Sequence, residues 1–482
     1  MTVLIKNALV FDGSGKPPFK SDIFINRQRI GRLGNFSLQS AEKKIDARGM
    51  MVTPGFIDIN STSDHYLTLF SDPSQSQLLK QGITTVIGGN TGSSLAPLID
   101  GSLRSIRKWA DPSLINVNWR SVGEFLKVLA RRKLGVNFGT LIGHSTIRRA
   151  IIGEDLRDLT DKELKVFNYV LETGLKEGAF GFSTGLAYVH SHNVPYKEIE
   201  ELAKTAAKFK AVYATQLRNY AEGLDKAISE TLNIAKNTGV NTEINNFQPL
   251  INYGENYLKA VSLIEKEKPR ANIYFDLNPD KVRLVEIYTF LPEWVRNGGL
   301  EIMLKNITTA IIRGRLLKTF GKFQPEDLII AQTSPILKFL TGKSLKQFSE
   351  NQNLPPAEAL LKLMELTQLK AELWYKNVDV KTLRQVLLSE NALIASQGAV
   401  KFLNLVREEN LMLLEKAVVK ITSLPARKFN IKERGLITEG YYADLVVFRN
   451  GQPSEVLING SLVMENGETN RCLAGEILRH NP

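Results

Sequence analysis

The sequence predicts an α/β protein: a (β/α)8 barrel of the TIM type carrying a small composite β-sandwich formed by both chain ends. Two observations predict it. Both ends of the chain are rich in short β-type runs, and the long middle alternates buried apolar runs with amphipathic helices. Alternation of that kind calls for a parallel sheet with crossover helices, and over so long a stretch a closed barrel is the economical arrangement.

At the start, Val3-Leu4-Ile5, Ala8-Leu9-Val10-Phe11 and Asp22-Ile23-Phe24-Ile25 read as strands, punctuated by Asp12-Gly13-Ser14-Gly15 and Pro17-Pro18. At the end, Asp444-Leu445-Val446-Val447-Phe448 and Val456-Leu457-Ile458 read as strands, with turn signals at Asn450-Gly451, Asn459-Gly460 and Asn466-Gly467. The two ends are expected to pair. Between them, Thr84 to Ile87, Phe138 to Ile142, Gly178 to Phe182 and Ala211 to Ala214 read as buried parallel strands, and Tyr196 to Lys208 and Asp225 to Lys236 as helices. This divides the chain into 1–52 (first part of the β-sandwich), 53–418 (barrel) and 419–482 (second part of the β-sandwich).

Composition bounds the function. Hydrophobic residues make up 43% and charged residues 23% of 482, an ordinary balance for a globular chain. No early stretch is apolar for long enough to be a signal peptide, and no 18-residue apolar run exists, so no membrane partner is expected. The one cysteine, Cys472, excludes an internal disulfide and favours the cytoplasm. The net charge is +12, but acids and bases are interleaved, as in Glu265-Lys266-Glu267-Lys268. That pattern reads as solvated helix faces rather than a nucleic-acid surface. The runs Arg131-Arg132-Lys133 and Arg148-Arg149 keep an anion- or RNA-binding alternative open. A homo-oligomer is compatible with all of this.

Several segments narrow the family. Pro54-Gly55-Phe56-Ile57-Asp58 after a β-rich opening resembles the first barrel strand of amidohydrolases, and Glu439-Gly440-Tyr441-Tyr442-Ala443-Asp444-Leu445-Val446-Val447-Phe448 resembles their return into the β domain. Gly143-His144-Ser145-Thr146-Ile147-Arg148, Phe182-Ser183-Thr184-Gly185-Leu186-Ala187-Tyr188, Leu291-Pro292-Glu293-Trp294 with Gly298-Gly299, and Thr422-Ser423-Leu424-Pro425-Ala426 are similar to N-acyl-D-amino-acid deacylases. So is Asn459-Gly460 running to Gly475-Glu476-Ile477-Leu478-Arg479, so the resemblance spans the whole chain in order.

The resemblance implies amide hydrolysis by a zinc-bound hydroxide, with an Asp after the last barrel strand moving the proton. It also implies where those groups belong. The family's His-x-His after the first strand falls on Asn60 and Thr62. Its bridging Cys falls on Thr91 in Asn90-Thr91-Gly92, and its next two His ligands on Gln216 and Asn246. Its catalytic Asp falls on Gln397 in Ser396-Gln397-Gly398, and its substrate-side Lys on Gln248. Amides and neutral hydroxyls are poor zinc ligands, and Gln397 cannot accept a proton near neutrality. No cofactor is therefore expected, although zinc serves the parent family.

The chain holds five histidines. His144 is expected to orient a loop near the mouth. His190 and His192 form a His-x-His, too few ligands for zinc without a third. His65 follows Asp64, which matches an acidic position of the family, and His480 is expected to be a solvated tail residue. The expected function is a metal-free pseudoenzyme whose polar pocket, built from Asn60, Thr62, Asp64, Thr91, His144, Tyr188, Gln216, Arg218, Asn246, Gln248 and Gln397, binds an unidentified small molecule or a protein partner. Arg148 and Arg218 would favour an anionic group there. One alternative is an active deacylase with a relocated site around His144, Asp64, His190 and His192; another is anion or RNA binding on a barrel scaffold.

Overall fold

The structure is a computed structural model that describes every residue except 1, 37–39, 101–102, 108, 189, 297–298, 321–322, 396 and 482. Gly298 and Ser396, quoted above, lie outside the described residues.

The β-rich ends do pair. Leu445–Arg449 runs antiparallel to Met51–Pro54, with Leu445 opposite Pro54 and Val447 opposite Val52. Through this seam the strands of both ends form one continuous nine-stranded sheet. The hydrogen-bonding is therefore that of a single sheet, where the sequence reading anticipated two stacked ones. The runs 3–5 and 8–11 merge into the strand Thr2–Val10, whose register shifts between Ile5 and Ala8 around Asn7 at φ 58°. The three Asn-Gly pairs at 450, 459 and 466 have both residues at positive φ, the backbone that a tight hairpin requires and that Asn and Gly adopt most readily.

The middle supplies eight parallel strand segments in chain order: Phe56–Asp58, Ile83–Gly88, Asn137–Thr140 continuing as Ile142–Gly143, Gly181–Gly185, Val212–Gln216, Asn241–Ile244, Ile273–Leu277 and Ala392–Ile394. They pair in two parallel arcs, the first three together and Ile142–Gly143 with the remaining five. Their faces are buried, which is why they read as continuous apolar runs. The strand expected at 178–182 begins instead at Gly181, because Gly178 sits at φ 110° in a turn against Arg479. The helices Tyr196–Lys208 and Leu224–Thr238 match the periodicity.

A feature not read from the sequence interrupts this order between Ile273–Leu277 and Ala392–Ile394. Residues 283–375 contain a three-stranded antiparallel sheet, Arg283–Glu286, Glu372–Tyr375 and Leu328–Gln332, with helices that include Gly299–Thr308 and Pro356–Leu366. They bury their own core around Ile287, Met303, Leu316, Leu345, Leu360 and Leu373. The segment meets the parallel strands' side of the molecule where Tyr66 Oη donates to Glu372 Oε2 at 3.0 Å.

The two parts of the chain are locked by a buried polar knot. Asp444 pairs with Arg434, accepts from Asn137 Nδ2 at 2.9 Å and from the Asn459 amide at 2.8 Å. Asn459 Nδ2 donates back to Asn137 Oδ1 at 2.9 Å. One carboxylate thus joins a parallel strand to the composite sheet. The C-terminal residues continue the seam: Leu478 N donates to Phe138 O at 2.7 Å. His480 is consequently not a solvated tail residue. It is buried, its Nε2 lies 2.9 Å from Phe209 O, and burial lowers its pKa.

Candidate functional site

The six positions that carry chemistry in the resemblance all follow C-terminal ends of parallel strands, where α/β folds of this kind place their sites. Asn60 and Thr62 follow Phe56–Asp58, Thr91 follows Ile83–Gly88, Gln216 closes Val212–Gln216, Asn246 follows Asn241–Ile244 and Gln397 follows Ala392–Ile394. Three of them turn the chain through left-handed backbone: Thr91 at φ 52°, Asn246 at 54° and Gln397 at 63°. Asn accepts this conformation readily; a β-branched Thr seldom does. Thr91 is nevertheless held there, its backbone lying on the fourth strand so closely that a Cβ at Gly185 would sit 2.3 Å from Thr91 O.

Asp58 ties the first and last strand ends together. Its Oδ1 accepts the Asn60 amide at 3.1 Å and its Oδ2 the Gln397 amide at 3.0 Å. Asn60 then reaches across the rim: its Nδ2 donates to Asn246 Oδ1 at 3.3 Å and to Asp276 Oδ2 at 3.2 Å. Asp276 also accepts from Asn245 Nδ2 at 2.9 Å and from the Asn246 amide at 3.1 Å. Burial pushes the Asp276 carboxyl up to about 6, against the pull of these donors. Below it Glu243 is fully buried, and burial together with Asp276 raises its carboxyl well above the usual range. Asp276 and Glu243 were not read from the sequence, and Asp58 and Asn245 were given no site role there. A signal was present at Asp276, an acid inside the otherwise apolar run Ile273-Tyr274-Phe275-Asp276-Leu277.

The remaining predicted pocket residues are not gathered with this pair. Gln397 turns outward, exposed, and its Oε1 accepts from Gln81 Nε2 at 3.1 Å. Gln248 spends its amide on Asn278 O at 3.0 Å and Asp280 O at 2.7 Å. Arg218 is forked onto Glu230 at 2.8–3.0 Å and bonds Val194 O at 2.6 Å, so it offers no cation to a ligand. Asp64 is buried beneath the second strand's turn, accepting Gly89 N at 2.7 Å. Thr91 Oγ1 is buried with no hydrogen-bond partner among the described residues. Gln216 and Thr62 are half-buried on the rim. Tyr188 packs where the main core meets that of 283–375, and burial, reinforced by Glu286, raises its pKa.

The histidines serve as structure. His144 Nε2 lies 2.8 Å from Glu198 Oε1, which also accepts Arg148 Nε at 3.2 Å; all three residues are buried. Burial works against the Glu198 charge, but His144 and Arg148 outweigh it and lower its pKa. Arg148 is therefore spoken for, contrary to its expected role as an anion anchor. His65 stacks on Trp109 at 4.0 Å. His190 is buried, and burial aided by Arg149 and Arg148 lowers its pKa to about 2.

Comparison with known proteins agrees with this architecture. The amidohydrolase family model matches residues 386–463. N-acyl-D-aspartate deacylase of Alcaligenes xylosoxydans xylosoxydans is 28% identical over 467 residues, covering 92% of this chain and 85% of that enzyme. The crystal structure of D-aminoacylase superposes with a TM-score of 0.82 at 25% identity, covering 99% of both chains. Over nearly its whole length the chain is similar to the N-acyl-D-amino-acid deacylases. The N-acyl-D-glutamate deacylase of Bordetella bronchiseptica, solved with zinc and a phosphonate inhibitor, shares the fold at a TM-score of 0.82, 24% identity and 99% coverage of both chains.

The similarity to a deacylase solved with zinc raises the question of that metal here. The residues present do not fit it. Zinc takes thiolate, imidazole or carboxylate donors, whereas the positions given to its ligands carry amides and hydroxyls, and the nearby Asp58 and Asp276 carboxylates are taken up by N–H donors. Asn60 turns an N–H donor toward Asn246 and Asp276, the opposite polarity from a metal ligand. Among the described residues no three His, Cys, Asp or Glu side chains form a group able to hold a metal ion.

Proposed function

We propose that this chain is a metal-free pseudoenzyme of the amidohydrolase type: a closed (β/α)8 barrel, with the β structure of both ends as its second domain, whose rim holds a polar cluster closed on itself in place of a metal centre. The hydrogen bond from Asn60 Nδ2 to Asn246 Oδ1 carries the reading. Two positions that the family resemblance gives to metal ligands hydrogen-bond each other and Asp276 directly, so these polar groups find partners without a cation. Buried polar groups need such partners.

The proton-transfer position supports the same reading. Gln397 has no basic group and faces Gln81. A relocated site finds no support, since His144, Asp64 and His190 are buried and His144 and Asp64 are engaged in holding turns and helices. Among the described residues no helix is long and apolar enough to cross a membrane. The single cysteine fits a cytoplasmic setting.

The test is deacylation of N-acetyl-D-aspartate, N-acetyl-D-glutamate and N-acetyl-D-leucine, with and without added zinc. We expect no turnover above the uncatalysed rate in either condition. Zinc-dependent turnover of any of the three would overturn the proposal.

A further inference from the structure

Outside the rim, a cavity of about 330 Å³ opens between the segment after the first strand, the helix Val122–Arg132 and the stretch 114–118. That volume lies within the usual range for small-molecule sites. Leu67, Phe70, Ile115 and Val128 give it apolar walls, and Leu114 on its edge is 74% exposed, a large apolar side chain left in water. A ligand's apolar portion laid there removes that surface from water.

One cation lines it. Arg132 is held in place by Nη2 donating to Phe70 O at 2.5 Å and by its guanidinium lying 5.3 Å over the Phe70 ring. Among the described residues its contacts are to the Phe70 carbonyl and ring, with no carboxylate paired to it. An arginine in a helix's last turn also complements the helix dipole, but that role does not require pinning the guanidinium beside an apolar cleft. A fixed fork with free N–H groups suits one carboxylate. The amide of Asn118 adds a neutral polar group to the lining.

We propose that this cavity binds an amphiphilic monocarboxylate, an apolar chain headed by a single carboxylate that pairs with Arg132. A single lining cation argues against a polyanion. The site is separate from the rim and does not depend on the metal-free reading.

Octanoate is the probe, titrated into the full chain by calorimetry. We expect saturable one-to-one binding, weakened at least tenfold in Arg132→Gln and abolished in Val128→Trp, which fills the cavity. Octanol, lacking the charge, should bind at least tenfold more weakly than octanoate. Asn246→Leu, which alters the rim, should leave octanoate binding unchanged. Melting curves identify any variant that fails to fold, and the octanol comparison on the unaltered chain stands in for it. Absence of saturable binding, equal affinity for octanol, or binding that survives Val128→Trp or is lost in Asn246→Leu would overturn the proposal.

Discussion

Asn60 and Asn246, 186 residues apart in sequence, are joined side chain to side chain at 3.3 Å across the strand ends, over the buried carboxylate of Asp276. Removing the donor leaves Asn246 Oδ1 unserved and withdraws one of the groups that holds the Asp276 charge. An unsatisfied buried polar group costs about 1–3 kcal/mol. Asn60→Ala should therefore lower stability in urea by that amount, with a further rise in the Asp276 pKa visible by carboxyl NMR. An unchanged midpoint would mean that the bond contributes nothing.

His190 makes stability depend on pH in a defined direction. Its folded pKa is lowered to about 2 from an ordinary 6.5, chiefly by burial. The unfolded chain binds the proton and the folded chain resists it. Its contribution is thus present above about pH 6.5 and lost as pH falls below it, at most about 1.4 kcal/mol per pH unit. His190→Gln should flatten the decline measured by urea titration between pH 6.5 and 4.5. An identical slope in the variant would refute the assignment.

The Asp444 knot predicts a large effect far from the rim. Arg434 is 2% exposed, and Asp444 is its buried partner. Asp444→Ala leaves that guanidinium with Glu476 as its one remaining carboxylate and breaks the link to Asn137 and Asn459. Losing one partner of a buried pair costs about 3–5 kcal/mol. Urea denaturation should show a loss of that order, and a change below about 1 kcal/mol would show that the knot is not a main join.

These cases show what the sequence disclosed. Helix and strand periodicity at Tyr196–Lys208 and Val212–Gln216, and the Asn-Gly hairpins, were legible because local patterning and local chemistry decide them. The rim positions were legible through flanking motifs. Side-chain partners were not. Arg218, Arg148 and Gln248 looked available because Glu230, Glu198 and the Asn278 and Asp280 carbonyls reach them only in the folded chain. Residues 283–375 were hidden because their helices share the same amphipathic signature as crossover helices, and only packing reveals a separate core.

If the rim differs from that of its relatives only in its side chains, metal binding should return when those are exchanged. The combination Asn60→His, Thr62→His, Thr91→Cys, Gln216→His, Asn246→His and Gln397→Asp should take up about one zinc or more per chain. Thr91→Cys also replaces a β-branched residue in left-handed backbone. Failure of the folded combination to hold zinc would show that the strand ends do not occupy the ligand positions assigned to them.

The most direct test of the metal-free reading is the metal content of the unaltered chain, purified without chelator and measured by plasma mass spectrometry. We expect well under one zinc per ten chains, because Asn60, Asn246 and Asp276 satisfy one another. About one zinc per chain, retained through dialysis, would contradict it.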